Sequence, residues 1–72
     1  MGWEPVKCRI PDHLERLRQN QRWLAAEVDE SEQQVSAYIN MERIMGMKKG
    51  KKYSTALKCR IDDIYVWEYF KD

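Results

Sequence analysis

Histidine, proline, cysteine and glycine are all scarce in this chain: one, two, two and three among 72 residues. Each shortage closes off a chemistry. No glycine-rich loop exists to wrap a phosphate, and no nucleophile stands at a recognisable spacing from a base, so no enzyme reading survives. Cys8 and Cys59 form no C-x-x-C, and His13 is the sole histidine. Neither a metal cluster nor a bound cofactor is therefore expected. A Lys- and Glu-rich composition suits a reducing, cytoplasmic setting, where the two cysteines stay free thiols. Apolar runs do not exceed four residues, as in "IYVW" (64–67). Nothing reads as a membrane span or a signal peptide, and no membrane partner is expected. The formal net charge is only +1, so nothing global demands a polyanion. A chain of this length buries one modest core and is expected to be a single domain over 1–72.

What remains is 43% hydrophobic, with three tryptophans, a composition that folds rather than one that stays disordered. "VKCRI" (6–10) alternates apolar and polar residues like a short strand. Pro11 suits the first position of a helix, and Ile10, Leu14 and Leu17 fall on one stripe of "PDHLERLRQ". His13 on that helix is expected to be exposed and without a role. Asn20 caps a second helix, "QRWLAAEV", whose inner face is Leu24, Ala25 and Val28. Ser31 caps a third over 31–40, with Gln34 completing a capping box and Val35, Tyr38 and Ile39 facing inward. A fourth helix runs through "KKGKKYSTALK". Its Gly50 costs about 1 kcal/mol of helix propensity, which a close helix–helix contact would explain. "RIDDIY" supports a short fifth helix. "YVWEYF" (65–70) is β-branched and aromatic, and it reads as a strand whose partner is the segment before Pro11.

Two helices joined by a tight turn over 20–40 make a helix-turn-helix, which by position offers its last helix to DNA. From residue 9 to 67 the chain resembles the Cro/C1-type (XRE) regulators of bacteria and their phages. Asn20, Gln21, Leu24-Ala25, Ser31 and Val35-Ser36 fall on the family pattern, and "LKCRIDDIYVWE" looks like the family ending "ALGCSIDDLFEWE". The chain departs from that pattern at four places. Asp29 and Met41 stand where glycines are usual, and Ile39 and Leu14 replace what is commonly an acid–base pair. An apolar pair in place of a partly buried ion pair is often neutral or stabilising, so Leu14 and Ile39 are expected to touch. The elements read along the chain make a mostly α fold: five helices with a two-stranded antiparallel ribbon formed by the termini, and the resemblance makes it a Cro/C1-type helix-turn-helix domain. The resemblance also implies a double-stranded DNA operator as ligand, a homodimer joined through the aromatic segment Tyr65–Phe70, and a bacterial origin, phage or mobile elements included.

Carried over position by position, Glu32, Gln33, Gln34, Ser36 and Ala37 face base edges, while Gln21, Asn40, Arg43 and Lys48 lie along the backbone. The charge pattern complicates this. Residues 27–32 hold four acids (Glu27, Asp29, Glu30, Glu32) and no base, and residues 43–60 hold seven bases and no acid. Phosphate affinity would have to come from the later segment. Two functions therefore stand side by side. One is a sequence-specific transcriptional regulator, repressor-like. The other is a protein-interaction module that kept the fold and lost DNA, an antirepressor or a regulator of a larger DNA-binding partner.

Overall fold

The computed structural model describes residues 2–71. Along the chain run β1 (Gly2–Cys8), α1 (Ile10–Leu17), α2 (Gln21–Glu27), α3 (Glu32–Ile39), α4 (Met47–Leu57), a three-residue 3-10 turn (Ile61–Asp63) and β2 (Tyr65–Phe70). The described residues thus hold four α-helices, not the five expected. "RIDDIY" forms only the 3-10 turn, closed by Asp63 N–H to the Arg60 carbonyl at 2.9 Å and Ile64 N–H to Ile61 at 3.2 Å. An α-helix needs i→i+4 bonds, and this segment has no length to make them, because β2 begins at Tyr65.

Each of the four helices is followed by a residue in the left-handed conformation, and none of these is glycine: Arg18 (φ 57°), Asp29 (φ 56°), Met41 (φ 62°) and Lys58 (φ 54°). The bonding repeats. Gln19 N–H reaches Leu14 O, Glu30 reaches Ala25, Glu42 reaches Ala37 and Cys59 reaches Ser54, at 2.9–3.0 Å. These are the six-to-one bonds of the Schellman motif, which satisfy carbonyls the helix end would otherwise leave open. A non-glycine residue in this region costs of order 1 kcal/mol. The chain therefore keeps its sharp turns at a steric cost, including the Asp29 turn between α2 and α3.

At the N-terminal ends, Asn20 Oδ1 accepts from Trp23 N–H at 2.8 Å and Ser31 Oγ accepts from Gln34 N–H at 3.1 Å. The Gln34 side chain bonds Tyr38 instead of turning back to Ser31, so only half of the expected capping box forms. The enclosed core is Ile10, Leu24, Val28, Val35, Tyr53, Leu57 and Ile64. Leu14 is buried and Ile39 half-buried in the same cluster.

The two ends pair antiparallel, from Gly2 opposite Phe70 to Cys8 opposite Tyr65. β1 is longer than the alternation of 6–10 suggested, because β2 offers a ladder as far as Phe70. The register shifts between Pro5 and Lys7. Pro5 lacks the N–H a regular ladder requires, and such irregularities are where proline is tolerated. Trp3 and Tyr69 meet edge to face, with centroids 5.3 Å apart.

His13 departs from expectation. It is buried, not exposed, and its ring ties α1 to the 3-10 turn: Nε2 lies 2.8 Å from the Asp63 carbonyl oxygen. Arg16 donates to the Leu57 carbonyl at 2.7 Å and approaches His13 Nδ1 at 3.3 Å. A carbonyl only accepts and a guanidinium only donates, so in this geometry Nε2 is the donor and Nδ1 the acceptor. Gly50 also differs. Its open side faces Ile61 of the 3-10 turn, with Cγ2 3.5 Å from where a Cβ would sit, rather than another α-helix.

Candidate nucleic-acid interface

α3 is held from behind by Val35 and Tyr38, both buried. Its opposite side carries Glu32 and Gln33, both exposed, with Ser36 and Ala37 half-buried beside them. The loop after α3 turns back at Met41, so Glu42 and Arg43 come alongside the start of the same helix. Ser31, Gln33, Gln34, Ala37, Glu42 and Arg43 together line one polar depression. This gathers three of the expected base-contacting residues and one expected backbone contact into a single surface.

Within it some groups are already engaged. Gln34 Nε2 donates to the Tyr38 hydroxyl at 3.1 Å, and Gln34 Oε1 accepts from Arg43 Nη1 at 3.4 Å. Both ends of that amide thus have internal partners. Asn40 Nδ2 donates to Ser36 Oγ at 3.2 Å. Glu32 and Gln33 have no side-chain bond among the described residues, so they are the long polar groups of α3 most available to a ligand. Gln21 is exposed at the first turn of α2. Lys48 lies elsewhere: it lines a groove with Trp23 and Glu27, between α2 and α4.

The four acids before α3 separate into two kinds. Glu27, Asp29 and Glu32 are exposed. The Glu30 side chain is only 7% exposed, and it is internally neutralised. Lys49 Nζ donates to Glu30 Oε2, the Tyr53 hydroxyl donates to Oε1 at 2.7 Å, and Lys52 Nζ stands 3.8 Å away. Glu30 is therefore a clasp from the α2–α3 turn to α4. Sequence reasoning missed it. The partners lie about twenty positions further along, and no local periodicity links them.

Tyr53 is fully enclosed, and burial, followed by the nearby Tyr38 and Tyr65 phenols, pushes its pKa up to about 12. Burial likewise pushes the Cys8 and Cys59 thiols up. Both are unpaired. No helix among the described residues is long and apolar enough to cross a membrane.

No protein-family model matches the chain, and no curated protein matches it in sequence.

Proposed function

We propose that the protein is a sequence-specific DNA-binding regulator that lays α3 in the major groove of a double-stranded operator. The observation that carries this reading is the split of α3: an inner side locked into the core, and an outer side where Glu32 and Gln33 are unencumbered and Gln33 shares a depression with Arg43. Glutamine can bond both the N6 and N7 positions of adenine, and glutamate accepts from the cytosine amino group. Arg43 and Gln21 then lie along phosphates. The internal pairing of Glu30 also favours the reading, because it takes one of the four acids out of the balance against the DNA backbone. Left-handed residues stand at Asp29 and Met41, where the Cro/C1-type pattern has glycine, and this supports the resemblance on which the role of α3 rests. Lys48 is not included among the backbone contacts with the same force, since it opens onto a different groove.

The second reading, a helix-turn-helix that works on protein alone, is favoured by one observation. Gln34 spends both ends of its amide internally while Glu27, Asp29 and Glu32 stay exposed. Selection from random-sequence duplexes separates the two. A regulator enriches one motif, two-fold symmetric if the protein acts as a dimer. An interaction module enriches none, even at low salt.

A further inference from the structure

A concentration of lysines lies away from α3. Between α2 and α4 runs a groove of about 650 Å3 whose rim carries Lys48, Lys51, Lys52 and Lys58, with Glu27 as its one acid. Lys52 is drawn toward Glu30. Lys48, Lys51 and Lys58 have no ion-pair partner among the described residues. Lys48 stands three and four residues before Lys51 and Lys52 on α4, spacings at which like charges on a helix repel. An anionic occupant would relieve that repulsion.

The walls of the groove decide which anion. Trp23 and Ala56 are half-buried, packed against the core, and turn apolar surface into the groove. A DNA duplex presents mainly phosphates to such a groove, and its bases, which on a single strand would stack on an indole, stay paired inside the helix. A peptide with apolar side chains between carboxylates satisfies both features: the apolar groups cover Trp23 and Ala56 while the carboxylates meet the lysines.

We propose that the α2–α4 groove is a docking site for an acidic, apolar-bearing peptide segment of a partner protein. The occupant lies against Trp23 and Ala56, within reach of Lys48, Lys51 and Lys58. The groove shares no lining residue with the α3 depression. The inference goes beyond the DNA-reading role and does not depend on it.

The test is an amide and indole NMR titration of the whole chain with two synthetic peptides of equal length and charge. One alternates glutamate with leucine, and the other alternates glutamate with serine. The Glu–Leu peptide is expected to bind at least about tenfold more tightly, a difference of about 1.4 kcal/mol. Its shifts should gather at the Trp23 indole and along α4. Lys51→Glu, at an exposed position, should weaken it about tenfold, with shift changes in the free protein confined to the neighbours of residue 51. The proposal is overturned if the two peptides bind alike, or if the shifts fall outside the groove. It is also overturned if inorganic polyphosphate or a random-sequence duplex binds there as tightly as the Glu–Leu peptide, which would make the site one for polyanions.

Discussion

Replacing Glu30 with alanine removes the only carboxylate among the described residues that bridges the helix-turn-helix and α4 through a buried bond. The Tyr53 hydroxyl, on a side chain with no exposed surface, then loses its acceptor at 2.7 Å. Leaving a buried donor unsatisfied costs about 1–3 kcal/mol, and bonds to a charged partner sit toward the upper end. The pairing with Lys49 adds less. The Lys49 side chain is 43% exposed and returns to water when the carboxylate goes, so its share is about 0–1 kcal/mol. The expected total for Glu30→Ala is about 2–3 kcal/mol, which lowers Tm by about 10–20 °C in a domain of this size. Glu30→Gln keeps an acceptor for Tyr53 and should cost about half as much. Tyr53→Phe should cost about 1–2 kcal/mol. The double change should cost less than the sum by about 1 kcal/mol or more, because the two groups share one bond. Urea unfolding of the four proteins measures the cycle. A Glu30→Ala variant within about 0.5 kcal/mol of the parent would show that the carboxylate is solvated and the clasp not formed, since only solvated surface positions behave that way.

Three further outcomes follow from the same geometry. Arg18→Gly relieves a left-handed residue on an exposed turn and should raise stability by about 1 kcal/mol, read as a higher Tm; an unchanged or lower Tm would deny the steric cost. Tyr53 has a folded pKa of about 12, above the ordinary value of 10, so its contribution is complete below pH 10 and is lost as the pH rises toward 12. That loss is roughly 2–3 kcal/mol, and Tyr53→Phe should flatten the fall in urea midpoint over that window. Leu14→Ala should cost about 2–5 kcal/mol and Ile39→Ala less, because Ile39 is half-buried. If the two touch, the paired change falls short of additive, and strict additivity would remove the contact.

Features set by neighbours in sequence were legible; those set across the fold were not. Asn20 and Ser31 act on N–H groups three residues away, so both caps could be read directly. "YVWEYF" declared a strand because its residue types suit a pleated surface, and the chain's two ends do pair. The residues of the 3-10 turn tolerate helical geometry and so read as a helix, and the start of β2 limits their length. His13 looked like a surface residue because its partner, the Asp63 carbonyl, is brought close by the packing of α1 on the turn. The place of Gln34 on α3 predicts a base contact; that its amide also bonds Arg43, nine residues on, could not be read from the sequence. Glu30 is the clearest case. In sequence it is one of four acids facing a phosphate problem, and in space it is the partner of Lys49 and Tyr53.

The central claim is that Gln33, on the free side of α3, reads a base. It is tested most directly by measuring the parent protein and Gln33→Ala against the duplex enriched from random sequence and against each of its single-base variants. The account predicts that Gln33→Ala flattens discrimination at one position per half-site, by about 1–3 kcal/mol, and leaves preference elsewhere intact. Arg43→Ala, run beside it, should weaken every duplex alike and reduce the salt dependence. No enriched duplex for the parent, or a Gln33→Ala protein with an unchanged preference at every position, would contradict it.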